Sequence, residues 1–157
     1  MLRQGSGLTK DQLIATLGEC QDALESGMRI LGSGVPCTPY GAIDVLALDC
    51  VHQLTVVTVG TAPADASLLC GISQVHWVAQ NAAILGHMYP NHVIDLPQRP
   101  RLVLVAPDFS TVLRASVHQL TAPPVMCVRY HSVSISGRTA IFLESLRTER
   151  DVASQPD

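Results

Sequence analysis

The chain has 157 residues, which is enough for one compact domain with a sizeable core and too few for two. Charged residues make up only 15% of it and hydrophobic residues 47%, whereas a typical soluble domain has about 25% charged residues. This balance excludes a disordered tail, a basic protein that coats nucleic acid and a solvated coiled coil.

The sequence carries no signal for a membrane or for secretion. It has no apolar run of about 18 residues that would cross a bilayer, and no basic start that leads into an apolar stretch. Its five cysteines are odd in number and include no Cys-x-x-Cys pair, which argues against a disulfide scaffold or a zinc ribbon. We therefore expect a cytoplasmic protein with no membrane partner.

The low charge also bears on assembly. With a mean hydropathy of +0.27, a protein of this size leaves more apolar surface exposed than a monomer usually tolerates. Burying such surface contributes about 25 cal/mol per Å², so self-association would be favourable. We expect a homodimer; a monomer whose exposed apolar side chains are thinly scattered is the alternative.

The first predicted element is a long helix. Thr9 and Gln12 have the spacing of a capping box, and apolar residues recur at helical spacing over residues 13–31. Gly32 and Gly34 follow directly and are predicted to end the helix.

The rest of the domain alternates between strands and helices. Alternating or continuous apolar runs predict strands, and longer stripes at helical spacing predict helices. The predicted segments are strands at 42–48 and 54–59, a helix at 65–88, a strand at 102–106, a helix at 107–120, and strands at 125–133 and 139–146.

These elements predict a fold class and a domain organisation. The order α-β-β-α-β-α-β-β favours an α/β domain with three layers, α/β/α, around a central mixed sheet. We expect a flexible leader over residues 1–8, a single domain over 9–147 and a polar tail over 148–157.

Several segments resemble the core of the PD-(D/E)XK, or restriction-endonuclease-like, nuclease superfamily. In that family a Gly-x-Ile-Asp-x-Leu strand, present here as Gly41-Ala42-Ile43-Asp44-Val45-Leu46, is followed by a hairpin and a strand that ends in Glu-x-Lys. Residues 25–31, 77–81 and 101–109 resemble other parts of that core. The resemblance extends over residues 13–146 and implies the restriction-endonuclease-like fold.

The resemblance also implies which residues would carry the chemistry. Such nucleases use Mg²⁺, which prefers carboxylate oxygens, together with a lysine that helps to position or activate the attacking water. Asp44 stands at the first carboxylate position, but Thr58 replaces the glutamate and Gly60 replaces the lysine. The resemblance therefore implies a vestigial site at Asp44, Thr58 and Gly60 and a degenerate member that has lost the Glu-x-Lys motif.

Two other interpretations of Asp44 are open. In some relatives a helix acid completes the metal site; Glu25, or less favourably Glu19, would then hold Mg²⁺ with Asp44, with an arginine in place of the lysine. Asp44 would then be the metal ligand of an active enzyme. Alternatively, Asp44 binds only backbone groups or a nearby arginine. The glutamine often found on the following helix corresponds to Cys70 or Gln74, depending on register.

Charge is unevenly distributed along the chain. Residues 1–95 carry three basic and eight acidic side chains, whereas residues 96–150 carry seven arginines and three acids. Arginines that share a face, such as Arg99, Arg101 and Arg114, could contact phosphates; an ordinary solvated surface with local ion pairs is the alternative. The net charge of −3 and the single lysine are not typical of a nucleic-acid-binding protein.

The sequence thus predicts a non-catalytic nuclease-like domain that acts as a binding or assembly module and needs no cofactor. Two alternatives are kept: a metal-dependent DNA endonuclease with a relocated active site around Asp44, and a DNA-binding relative that has kept the groove without the chemistry.

Overall fold

The computed structural model describes residues 3–4, 8–62 and 66–146. Within these residues seven strands form one sheet: β1 (Arg3–Gln4), β2 (Arg29–Pro36), β3 (Ala42–Leu48), β4 (Leu54–Val59), β5 (Arg101–Ala106), β6 (Val125–Ile135) and β7 (Arg138–Leu146). The helices are α1 (Lys10–Glu19), α2 (Gln21–Leu24), α3 (Ala66–Gln80), α4 (Ala82–Met88) and α5 (Thr111–Gln119).

The sheet is mixed, as predicted. Its strands are ordered β1-β6-β5-β4-β3-β2, and β7 also pairs with β6. The central strands β4, β5 and β6 are parallel, whereas β2, β3 and β7 pair antiparallel with their neighbours. Parallel neighbours need long crossovers, which α3 with α4 and then α5 supply. The predicted α/β class is confirmed.

Helices bury both faces of the sheet. One apolar cluster, here the α3-side core, joins α3, α4 and α5 to one face through residues such as Leu46, Val56 and Leu102. The other, the α1-side core, joins α1 and α2 to the opposite face through Val45 and Val57. Because successive strand residues point to opposite faces, every residue of β4 is buried.

The predicted long first helix is wrong beyond residue 24. α1 ends at Glu19, α2 adds one short turn, and residues 29–36 form strand β2, paired antiparallel with β3. Gly32 and Gly34 therefore lie inside a strand instead of ending a helix. A Cβ at Gly32 would lie 2.9 Å from the Tyr89 hydroxyl, and Gly34 has a φ of +62°. Pairing with β3 outweighs the helical periodicity, so the observed element order contains one strand more than predicted there.

The second predicted helix, at 65–88, is interrupted. α3 ends at Gln80 and α4 begins at Ala82, with Asn81 between them at φ −114° and ψ 17°. The Trp77 carbonyl accepts both from the Asn81 backbone N–H at 3.0 Å and from the Asn81 side-chain amide at 2.8 Å. α4 packs on the same side of the sheet as α3, with Leu85 buried in the α3-side core.

Other predicted elements agree closely with the structure. β3 and β4 have the predicted bounds, and β5 begins one residue early, at Arg101. The third predicted helix starts at Thr111 instead of residue 107, because the Ser110 hydroxyl caps it by accepting from the Leu113 N–H at 3.0 Å.

The structure describes only part of the predicted leader and none of the predicted tail. Arg3 and Gln4 of the predicted leader pair with Ser134 and Val133 of β6. The rest of the leader up to residue 7, and the predicted tail at 148–157, lie outside the described residues. In the described part of the chain, no helix has both the length and the apolar character needed to cross a bilayer.

Candidate functional site

Asp44 stands where β3 and β4 separate. The paired residues of these strands run from Leu48 and Leu54 to Val45 and Val57. Beyond that point the Val59 N–H donates to Asp44 Oδ2 at 2.8 Å, so a side-chain oxygen takes over from the backbone as acceptor. The carboxylate is thereby held against the end of β4, with its side chain 13% exposed.

The other oxygen of this carboxylate binds a lysine from α1. Lys10 Nζ lies 2.8 Å from Asp44 Oδ1. Lys10 is the first residue of α1, whose capping box at Thr9 and Gln12 forms as predicted. Leu13 anchors that helix in the α1-side core, which brings Lys10 over the start of β3. Sequence reasoning missed this contact; the only available signal was that the chain has a single lysine.

Thr58 and Gly60 flank the Val59 amide that binds Asp44, so the structure brings these three predicted positions together. Thr58 is 8% exposed, and its Oγ1 has no hydrogen-bond partner among the described residues. That hydroxyl faces α3, because a Cβ at Gly71 would lie 3.2 Å from it. The Gly60 N–H donates to the Val105 carbonyl at 2.8 Å. Neither position supplies a charge.

Gln74, and not Cys70, is the residue of α3 that reaches the sheet. Cys70 is exposed, whereas Gln74 is buried and its side-chain amide donates to the carbonyls of Tyr40 and Ala42 at 3.2 and 3.1 Å. Its Oε1 has no partner among the described residues. Gln74 thus binds α3 to the residues that lead into β3.

Neither predicted helix acid joins Asp44, and Glu25 lies just beyond the end of α2 in an extended conformation instead of on a helix. Glu25 binds Arg101 at 2.7 Å, and Arg101 also contacts Asp49, just beyond the last residue of β3. Asp44 lies near the start of that strand, five residues before Asp49, and thus roughly 16 Å from it at ~3.3 Å per residue. Glu19 ends α1, about 14 Å of helix from Lys10 at ~1.5 Å per residue.

At the opposite end of the sheet, Arg101 forms a cluster with Glu25 and Asp49. Asp49 Oδ1 accepts from the N–H groups of Val51 and Gln53, and its Oδ2 lies 3.3 Å from Arg101. Burial acts to lower the pKa of Arg101, but the hydrogen bonds and charges of Glu25 and Asp49 outweigh it and raise that pKa above its usual value. Arg101, the first residue of β5, thus binds the β3–β4 hairpin through Asp49 and the end of α2 through Glu25.

The three arginines predicted to bind phosphate lie in different settings. Arg101 is only 14% exposed and is bound by two carboxylates. Arg99 is exposed ahead of β5, and its carbonyl accepts from the Gln53 side chain at 2.6 Å. Arg114 is exposed on α5, and its positive charge acts to lower the pKa of the Cys127 thiol. Of these three residues, Arg99 and Arg114 are exposed and Arg101 is not.

The residues around Asp44 do not fit the divalent ion that the predicted family uses. In the described ranges, no group of three or more His, Cys, Asp and Glu side chains is placed to hold a metal ion. The Asp44 carboxylate already binds an ammonium group and a backbone N–H, and both repel a cation. Thr58 offers a neutral oxygen on the α3 side, and Gly60 offers no side chain.

Comparison with known proteins identifies the fold. No protein-family model and no curated protein matches the chain. The solved structure of EndoMS in apo form is similar, with a TM-score of 0.51 and 17% identity over 76% of this chain. A repair endonuclease from Pyrococcus abyssi (TM-score 0.48, 16% identity) and an EndoMS–dsDNA2 complex (0.48, 19%) each match 74% of it.

This likeness concerns the fold alone. The chain spans just under half of these proteins, 44–49% of their length. The match to apo EndoMS confirms the nuclease-like fold that the sequence motifs predicted.

Proposed function

We propose that this chain is a degenerate nuclease-like domain that does not cleave nucleic acid and acts as a binding or assembly module. The single observation that carries this proposal is the state of the Asp44 carboxylate. Lys10 neutralises one of its oxygens at 2.8 Å, and the Val59 N–H uses the other at 2.8 Å.

The electrostatics support loss of catalysis. Mg²⁺ is dehydrated reluctantly and is usually held by one or two carboxylates together with substrate phosphates. At this site a divalent ion would have to displace the Lys10 ammonium from the single carboxylate that Asp44 supplies. Because Glu25 is bound to Arg101 at the other end of the sheet, it would not restore the missing anion.

Cleavage of plasmid DNA tests this proposal against the alternative of a relocated endonuclease site. The wild type, Asp44→Ala and Lys10→Gln are incubated with supercoiled plasmid and Mg²⁺ or Mn²⁺. We expect no nicking above the protein-free background from any of them. Nicking by the wild type that disappears in Asp44→Ala would overturn the proposal.

Titration with Mn²⁺ separates metal binding from turnover. In calorimetry we expect the wild type and Asp44→Ala to give the same heats, because Lys10 already compensates the charge of the Asp44 carboxylate. Lys10→Gln is the matched variant, since it removes the competing charge and leaves the Thr9 cap intact. Binding to the wild type that depends on Asp44 would contradict the argument.

For the partner of this module we favour a second copy of the chain over nucleic acid. The net charge is −3, and Arg101, one of the three predicted phosphate contacts, is occupied by carboxylates. In gel-shift assays with labelled duplex DNA at low salt we expect no shift. A shift that weakens with salt and is lost in an Arg99→Ala, Arg114→Ala double variant would instead establish DNA binding. A cytoplasmic location stays a prediction from cysteine usage.

A further inference from the structure

In the described part of the chain β7 pairs with a strand on one side only, and α2 packs against it. β7 pairs with β6 over nine consecutive residue pairs, from Leu146 with Cys127 to Arg138 with Ile135, and no described strand lies on its other side. The strand has no bulge, glycine or proline. A long regular edge of this kind leaves a row of N–H and C=O groups available for another strand.

The opposite edge of the sheet is protected. β2 has a register shift between Ile30 and Gly32, a left-handed residue at Gly34 and a proline at its end, Pro36. Bulges and prolines at an edge prevent a second strand from adding in register. The contrast singles out β7 as the edge prepared for pairing.

We propose that β7 is a homodimer interface, in which the β7 strands of two copies pair antiparallel about a two-fold axis at Ile141. The inference rests on the assembly role proposed above and specifies its surface. An isologous contact of this kind joins the two sheets into one continuous sheet and closes without forming a fibre.

The exposed face of β7 is self-complementary in this register. Arg138, Ala140, Phe142 and Glu144 alternate along that face. Pairing about Ile141 places Arg138 opposite Glu144 of the second copy and Phe142 opposite Ala140 of the second copy. Opposite charges and a large side chain facing a small one therefore meet twice across the axis.

The neighbouring register lacks this match. Pairing about Phe142 would place Arg138 opposite Leu146 of the second copy and Glu144 opposite Ala140 of the second copy, so neither charge would face an opposite charge across the interface. Phe142 is 60% exposed on the single chain, and Glu144 is held only within its own chain by His131 at 3.0 Å and Arg129 at 3.9 Å. The edge thus offers both an apolar anchor and a charge pair.

Charge exchange tests the contact. The oligomeric state of the full chain is measured by size-exclusion chromatography with light scattering and by sedimentation. We expect a dimer for the wild type, and a dissociation constant about tenfold higher for Arg138→Glu and for Glu144→Arg, since each places like charges opposite one another. An equimolar mixture of the two variants should recover dimers, because both pairs are then opposite in charge.

The controls distinguish this surface from other causes. Arg114→Glu, on exposed α5, reverses a charge away from the edge and should leave the dimer unchanged. Circular dichroism checks that each variant is folded, which matters for Glu144→Arg because it also removes the contacts with His131 and Arg129.

Disulfide trapping tests the register. With the exposed Cys20, Cys50 and Cys70 replaced by serine, Ile141→Cys should form a covalent dimer under mild oxidation, because each introduced thiol faces its copy across the axis. Phe142→Cys is the matched control and should cross-link much less.

A monomeric wild type overturns the proposal, whatever covers the edge in its place. A wild-type dimer that neither charge reversal weakens also overturns it, while leaving self-association through another surface. Plasmid nicking that depends on Asp44 would overturn the proposed function without affecting the β7 interface, so the two failures can be told apart.

Discussion

The Asp44 carboxylate has two partners of different weight. Lys10 is half exposed, with 50% of its side chain accessible, so water competes for its charge. The Val59 N–H belongs to a fully buried strand and donates to the carboxylate at 2.8 Å. Loss of a buried acceptor therefore costs more than loss of a solvated ion pair.

Substitution of each partner should reveal this difference. We expect Asp44→Ala to lower the free energy of unfolding by about 1–3 kcal/mol, because it leaves the Val59 N–H without an acceptor. Lys10→Ala should cost at most about 1 kcal/mol. Urea denaturation followed by circular dichroism measures both. Equal losses for the two variants would mean that the ion pair, and not the backbone contact, holds the strand ends.

The buried thiol of Cys127 is expected to lower the stability of the protein at alkaline pH. Burial raises the pKa of this thiol from 9.0 to about 11, although Arg114 acts in the opposite direction. Between those values the unfolded chain releases the proton that the folded chain keeps, so stability falls as pH rises from about 9 to 11. The urea midpoint of Cys127→Ala should fall less over this interval than that of the wild type. The same fall in both would assign the alkaline loss to other groups, among them Tyr130, whose pKa burial also raises.

At the scale of elements, close approach decides how α3 lies on the sheet. A Cβ at Gly71 would lie 2.7 and 2.8 Å from the two methyl carbons of Leu102, which is fully buried in β5. Only a residue without a side chain lets the helix come this near. The same proximity places Gln74, one turn later, against the start of β3.

A pair of glycine substitutions tests this close approach. Gly71→Ala should destabilise the protein by about 1–3 kcal/mol, because the added methyl group overpacks against Leu102. Gly86→Ala in α4 meets nothing within 4 Å and should stabilise by up to about 1 kcal/mol through helix propensity. Thermal unfolding measures both. If Gly71→Ala were also stabilising, the α3–β5 contact would have room that the structure does not show.

At the scale of the whole molecule, one sheet is shared by two cores. β4 and β5 contribute alternate residues to the α3-side core and to the α1-side core, as Val56 and Val57 do. Neither core is complete without these strands, which favours a single cooperative unfolding transition.

This sharing predicts that different probes agree. Trp77, the single tryptophan, lies on α3 and packs against the α3-side core, whereas far-ultraviolet circular dichroism reports on every element. Urea transitions followed by fluorescence and by circular dichroism should coincide, and the midpoint should rise with protein concentration if folding is coupled to dimerisation. Separate transitions would show that the two faces unfold independently.

Local pattern was sufficient for the central strands. β3, β4 and β5 are short, rich in branched apolar residues and bounded by turns, so alternation and length identified them, and the motif around Asp44 indicated the nuclease-like fold. The pattern failed at β2, where apolar residues at helical spacing continue into a segment that pairs with β3. There the neighbouring strand, and not the local sequence, decides the conformation.

The amino-acid sequence by itself determined the class of the fold and the positions of its central strands, because these depend on the pattern of neighbours along the chain. It also showed directly that the residues at 58 and 60 are neutral. Only the tertiary structure decided that Lys10 meets Asp44 and that Glu25 binds Arg101, 76 residues away. Which opposite charge a side chain meets depends on which helices pack near the ends of the strands. Residues far apart in the chain decide that packing, so no local pattern encodes it.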